Sequence, residues 1–201
     1  MKKMICLVWM ILFFPTQTFA EEKIETPVWT VGDKWLFTRG GTMEVVTADE
    51  ASYTVKFSAS NTLTVFDKST LNRKYVLEED KRREYKGSQR RILNFPLVRG
   101  KTWEDTSSGK GKRDRLGGQE NLYFETFKVL GWEDVKVKYG AFRAVKIEYR
   151  QEGQSPAGER WVGKAWYWYA PEAKYFVKCE YEKTPVWIEF YDWELTALEL
   201  K

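Results

Sequence analysis

Aromatic side chains near the C-terminus are the part of this sequence best equipped to recognise a ligand. Trp161, Trp166, Trp168, Trp187, Tyr191 and Trp193, with six further Tyr and Phe residues, lie between positions 161 and 193 of a 201-residue chain that carries 10 Trp, 11 Tyr and 12 Phe in all. Such rings bury roughly 150–250 Å² each, and Tyr and Trp keep a polar tip free for hydrogen bonding, which suits the wet edge of a binding site. Two residues apart on one strand, Trp166 and Trp168 would stand about 6.6–6.8 Å from each other, a spacing that could stack neighbouring sugar rings. These six residues are the candidate ligand-binding set.

Catalytic chemistry finds less support. The chain has no histidine, which removes Ser-His-Asp and Cys-His nucleophile pairs, histidine metal ligands and an imidazole switch near neutral pH. Its two cysteines are too few for a Cys-rich zinc site. Carboxylates number 29, and a glycosidase-type pair needs only two of them, but most, such as Glu148 and Glu180, alternate with lysine on what reads as the wet face of strands. There is no EF-hand loop, P-loop or dinucleotide fingerprint. The expectation is a protein that is not an enzyme and that uses no cofactor or metal.

The first 20 residues read as an export signal. Lys2 and Lys3 precede the apolar run Met4 to Phe14, which gives way to Pro15 and a polar stretch ending Thr18-Phe19-Ala20. That is the layout of a secretory signal peptide with a small residue before the cut, and the run is too short for a membrane span of about 20 apolar residues. Cleavage is expected after Ala20, which leaves residues 21–201, with no transmembrane span, in the periplasm or outside the cell. Removing Lys2 and Lys3 lowers the net charge from +4 to +2. Cys6 leaves as well, so Cys179 stands alone. It lies in the alternation Tyr175, Val177, Cys179, Tyr181, where a cysteine serves as a small buried hydrophobe.

Those rings need elements to hold them, and the elements are strands. Period-2 alternation recurs along the chain, as expected of half-buried antiparallel β-structure. Val135, Val137 and Tyr139 lead through Gly140 into Val145, Ile147 and Tyr149, with Lys136, Lys138, Lys146, Glu148 and Arg150 on the other side, a hairpin with a wet outer face. Further strands are expected at 34–38, 42–47, 53–58, 63–66, 74–77, 91–95, 122–130, 164–169, 175–181 and 185–193. Only 77–85 and 195–201 also read as helix. Many short strands on regular spacing imply an all-β fold, a sandwich or a partly closed barrel. The stretch 106–119, TSSGKGKRDRLGGQ, with four Gly and four basic residues, reads as a flexible basic loop within a single domain spanning 21–201.

Four short motifs carry a resemblance. Trp29-Thr30-Val31-Gly32-Asp33-Lys34-Trp35 opens the exported chain, and Phe95-Pro96-Leu97-Val98-Arg99-Gly100-Lys101-Thr102-Trp103 sits mid-chain. Gly140-Ala141-Phe142-Arg143-Ala144-Val145-Lys146-Ile147 follows, and Trp168-Tyr169-Ala170-Pro171-Glu172 precedes Val177-Lys178. In this order they resemble the TapB-like proteins, exported bacterial β-rich chains that are similar to lipoprotein carriers of the LolA/LolB type. The resemblance covers most of 29–180 and implies a strongly curved antiparallel sheet enclosing an apolar cavity. It brings no established activity with it.

One pattern departs from ordinary strands. Trp166 and Trp168 alternate with Tyr167 and Tyr169, while Val186, Ile188 and Phe190 oppose Trp187, Tyr191 and Trp193, so these strands are apolar on both faces. One face is core and the other needs a second cover: the chain's own loops or curvature, a lipid or other apolar ligand in a pocket, or an envelope protein docked on an aromatic face. Basic clusters at Lys81-Arg82-Arg83, Arg90-Arg91 and 110–115 read as solvated faces, and nucleic acid is not an expected partner of an exported chain. The reading that follows is a non-enzymatic exported binding protein, with an envelope assembly or scaffold subunit as the alternative and carbohydrate binding behind both.

Overall fold

The computed structural model describes residues 22–60, 62–78, 81–84, 91–109, 120–184 and 191–201. Residues 1–20, expected to be an export signal, 110–119, and 185–190 of the strand expected at 185–193, with Trp187, therefore lie outside the described residues. The strands are β1 (Lys34–Phe37), β2 (Gly41–Ala48), β3 (Ser52–Phe57), β4 (Thr62–Asp67), β5 (Arg73–Glu78) and β6 (Lys81–Glu84) in the first half. The second half holds β7 (Thr102–Gly109), β8 (Asn121–Lys136), β9 (Ala141–Gln154), β10 (Arg160–Ala170), β11 (Tyr175–Tyr181) and β12 (Trp193–Glu199). A single 3-10 turn, Pro171–Ala173, is the only helical element among the described residues. No helix there is long and apolar enough to cross a membrane.

All twelve strands form one antiparallel sheet in the order β6-β5-β4-β3-β2-β1-β12-β11-β10-β9-β8-β7. It is two six-strand meanders joined where the first strand meets the last, Trp35 opposite Leu198. The all-β curved sheet expected from the sequence is what forms, and within the two segments with a helical alternative the described residues 77–78, 81–84 and 195–199 are strand. The curvature has local causes. Register shifts interrupt β2–β3, β4–β5, β8–β9, β10–β11 and β1–β12, and such bulges bend a strand and raise its twist. On β8 the shift falls at Val129/Gly131, where Gly131 adopts φ +139°, a value that side chains other than glycine rarely take.

Two expectations need correcting. Residues 91–95 are not strand: Ile92 and Leu93 pack on the core, but among the described residues the segment joins no ladder, and the nearest bridge, Leu97 with Ile24, lies beyond the cis Phe95–Pro96 bond. Pro96 has no N–H to offer a ladder, and Lys101 ties the bend by donating from Nζ to the carbonyls of Asn94 (2.6 Å) and Pro96 (3.0 Å). In the other case, 106–109 belongs to β7 and pairs with 121–124. The small polar side chains that read as loop sit on an edge strand, where a strand can be polar.

The inner face of the sheet is filled by its own side chains. Ile147, Tyr167, Cys179 and Trp193 stand in one cross-strand row, and Trp29, Trp35, Tyr53, Phe66 and Tyr175 form an aromatic cluster with centroids 5.4–5.8 Å apart. Cys179 is fully buried, as its alternation implied, and burial pushes its thiol up to about 12. At pH 8 the folded chain should therefore react with a thiol-disulfide reagent at least ~100-fold more slowly than the unfolded chain, because the thiolate is the nucleophile. Comparable rates in urea and in buffer would contradict this burial.

Candidate functional site

The candidate aromatics do not converge. Trp166 and Trp168 share the outer face of β10, flanked by Glu148 and Glu180 across from Trp166 and by Lys146 and Lys178 across from Trp168. Trp168 is only 3% exposed. Its cover is ionic: the ammonium groups of Lys146 and Lys178 stand 4.6 and 4.9 Å from its ring centroid, and its indole N–H donates to the Glu133 carboxylate. Cations over a tryptophan face are attracted by its quadrupole, and long lysine stems cover apolar area while their heads stay wet. Beyond the ring, Phe142 and Ala144 on the same face are buried, and the β8–β9 turn folds far enough for the Tyr139 N–H to donate to the Leu195 carbonyl at 3.0 Å. For Trp168, then, the second cover comes from this chain itself.

Trp193 and Trp161 face the other way. Trp193 packs on Phe37 at 5.0 Å and Tyr167 at 6.4 Å. Trp161 lies across Gly153, where an added Cβ would come 2.0 Å from the ring, and meets Tyr123 at 6.1 Å. Gly153 leaves room for the indole, so Trp161 is a packing partner of its neighbours. Tyr191 is 56% exposed under the Arg39 guanidinium, 4.0 Å from the ring centroid. None of these five lines the cleft formed by residues 22–27, 132 and 169–171.

A cleft among the described residues lies elsewhere. It has a volume of about 370 Å³ and opens between the N-terminal strap, 22–27, and the residues Trp132, Tyr169 and Pro171. Trp132 and Tyr169 flank Val145 in one cross-strand row, so both project from the inner face towards the strap. The strap is held by a pair of backbone hydrogen bonds between Ile24 and Leu97 (3.0 and 2.8 Å), by Thr26 Oγ1 donating to the Ser69 carbonyl at 2.8 Å, and by an exposed Arg143–Glu22 pair at 3.4 Å. Its other ion pair, Lys23–Glu25 at 2.6 Å, is internal to the strap.

Floor and rim differ chemically. Ile24, Pro27, Pro171 and the Trp132 ring supply apolar surface beside the buried Tyr169, while Glu22, Lys23, Glu25 and Arg143, which lies 5.3 Å over the Trp132 ring, surround it with paired charge. Tyr169 is fully buried and its hydroxyl has no hydrogen-bond partner. Burial raises the phenol above its ordinary range, so it remains a neutral donor. Buried tyrosine hydroxyls usually find a partner, and leaving one unmade costs about 1–3 kcal/mol. Sequence reasoning placed Tyr169 only as the ring opposite Trp168. Trp132 and the strap carried no signal, because positions 22–27, 132 and 169–171 meet only through the sheet register and the Ile24–Leu97 bridge.

No protein-family model and no curated protein matches the chain. Solved structures with a similar course include the hypothetical lipoprotein YmcC of Escherichia coli, 10% identical over 79% of this chain and 81% of that one, with a TM-score of 0.45. A Bacteroides fragilis chain named for its YmcC-like fold and inferred export is 16% identical over 88% and 99%, with a TM-score of 0.39. A Parabacteroides distasonis chain provisionally named a lipoprotein is 12% identical over 89% and 100%, with a TM-score of 0.40. All three are bacterial, and none is named as TapB-like or as a LolA/LolB-type carrier.

Proposed function

We propose that this chain is an exported binding protein, acting in the periplasm or outside the cell, that holds an apolar or amphipathic ligand and catalyses no reaction. The observation that carries the reading is the cleft beneath the strap, with its aromatic floor and the unpartnered Tyr169 hydroxyl. Concave, mostly apolar sites with a few convergent polar groups are where small ligands bind. Export rests on the signal-like first 20 residues, and kinship with TapB-like chains or LolA/LolB-type carriers belongs to the same proposal. The test is native mass spectrometry of the mature protein purified from its own host. An excess mass that organic solvent extracts supports the reading, and a bare chain with nothing extractable overturns it.

A second reading, an envelope assembly or scaffold subunit, draws on a different surface. Phe124 and Val162 flank Glu152 across three strands, Leu122 lies beside them, and the three apolar side chains are 43–47% exposed. An apolar patch of this kind marks a contact surface. A photoreactive side chain at Phe124 should then trap a discrete partner in intact cells. A monomer without adducts at every expression level would dismiss this reading.

A further inference from the structure

We propose that the 22–27 strap is a displaceable cover and that the ligand beneath it is a small neutral amphiphile presenting one carbonyl oxygen to the Tyr169 hydroxyl. This rests on the reading above that the cleft takes a ligand, and it goes on to name the ligand's chemistry and its way in.

The chemistry follows from what the floor lacks. Tyr169 brings one O–H donor to a place with no acceptor, so the missing partner is an acceptor. It is neutral, because each charged residue that lines the cleft already faces an opposite charge: Glu22 meets Arg143, and Lys23 meets Glu25. Burying an ionised group against Trp132, Pro27 and Pro171 would leave it without a counter-charge. The size follows from the volume of 370 Å³; at ~30 Å³ per water-sized group, there is room for roughly a dozen non-hydrogen atoms. A medium-chain ester or amide meets all three conditions.

The way in follows from how the cover is held. Tyr169 lines the cleft yet has no exposed surface, so a ligand reaches its hydroxyl only when part of the lining moves, and the strap supplies five of the eight lining residues. Ile24 is the one buried side chain in 22–27, and among the described residues that stretch is tied to the backbone elsewhere by one antiparallel bridge and the Thr26–Ser69 hydrogen bond. Exposed ion pairs such as Arg143–Glu22 add little. Segments with few buried contacts are the ones that open at low cost.

Two variants test the two halves, with methyl octanoate as the probe. Tyr169→Phe removes the donor and leaves the ring. It is expected to raise the thermal midpoint of the empty protein, since an unmade hydrogen bond disappears, and to weaken methyl octanoate binding about fivefold, the worth of one ordinary hydrogen bond. A merely structural hydroxyl would not move these two readouts in opposite directions. Equal affinity in both proteins overturns the assignment of the carbonyl to Tyr169, and so does absence of binding to the parent protein.

The double substitution Ile24→Cys, Leu97→Cys locks the strap. These residues form a hydrogen-bonded pair, with Cα atoms about 5.5 Å apart in that geometry, within reach of a disulfide. The oxidised protein is expected to take up the probe at least tenfold more slowly than the same protein after reduction. Equal rates in the two states overturn the cover. If protein from the host carries an extractable ligand while both variants behave as the parent, this inference fails and the binding function stands. If nothing is extracted and the probe does not bind, both fail.

Discussion

Replacing Asp33 by alanine is expected to lower the unfolding free energy by about 3–5 kcal/mol, the range for stripping one partner from a buried ion pair. Asp33 is fully buried. Its Oδ2 accepts from the Thr30 N–H at 2.9 Å and from Lys174 Nζ at 3.0 Å, while Oδ1 accepts from the Lys201 N–H at 2.8 Å. One carboxylate thus ties three places: the turn before β1, the exit of the 3-10 turn before β11, and the residue that follows β12 by two positions. Gly32 makes the approach possible. The Asp33 N–H donates to the Thr30 carbonyl at 2.9 Å and Gly32 has φ +95°, the arrangement of a type II turn with glycine at its third position. Alanine at 33 would strand the Lys174 ammonium, whose side chain is only 23% exposed.

Asp33→Asn keeps most of the shape and acceptors but not the charge, so it should fall between the parent and Asp33→Ala. Urea titration provides the measurement, with the midpoint falling and the slope unchanged if only stability is altered. A second arm removes Lys174 as well. If Asp33→Ala costs much less when Lys174 is already alanine, the difference between the two costs is the coupling of the pair. A loss below about 1 kcal/mol for Asp33→Ala would show that the site is worth no more than a surface ion pair.

The sequence announced this fold unevenly, and the reason lies in what each strand must bury. β1 to β5 and β11 were marked by alternation within a residue, and Tyr175–Tyr181 is strand over the expected span; β9 and β10 were found only at their centres, 145–149 and 164–169, and run four or five residues further. β6 and β7 escaped because they are the two edges of the sheet. An edge strand such as Thr102–Gly109 can be polar on both sides and then looks like loop. The reverse error at 91–95 came from apolar spacing that serves a segment packed on the core, where Leu93 is buried without any ladder. The 16-residue length of β8 was likewise hidden, since its alternation changes phase at Gly131.

The same limit applied to the site. Apolar character on both faces of 166–169 correctly signalled that two covers were needed. It did not say whose they were, because Lys146, Lys178 and Glu133 reach Trp168 from three other strands through register alone. A lysine opposite a strand tryptophan reads in sequence as the wet side of the sheet. In the fold it is the lid of the ring. The strap cleft depends on a still longer connection, the bridge from Ile24 to Leu97, which periodicity within any one segment cannot report.

Trp35→Ala should be at least as costly as the loss of Asp33, and Trp35→Phe separates the reasons. Trp35 has no exposed surface and touches Trp29 at 5.4 Å and Tyr175 at 5.8 Å. Deleting a buried ring of this size leaves a cavity and costs about 3–5 kcal/mol. The indole does a second job. Its N–H donates to the Ala173 carbonyl at 2.6 Å, and the Trp29 indole donates to the next carbonyl, that of Lys174, at 3.0 Å. Six residues apart on a turn and a strand, the two tryptophans thus hold consecutive carbonyls at the exit of the 3-10 turn, beside the Lys174 that meets Asp33. Phenylalanine at 35 keeps most of the ring but orphans the Ala173 carbonyl, which is worth about 1–3 kcal/mol when no water can replace the donor. The expected order of urea midpoints is parent, Trp35→Phe, Trp35→Ala. Because Trp29 and Trp35 share a cluster, the double phenylalanine variant should depart from the sum of the single losses. If Trp35→Phe matches the parent, the hydrogen bond contributes nothing and only the ring matters; if it matches Trp35→Ala, the turn carbonyl dominates and the packing is dispensable.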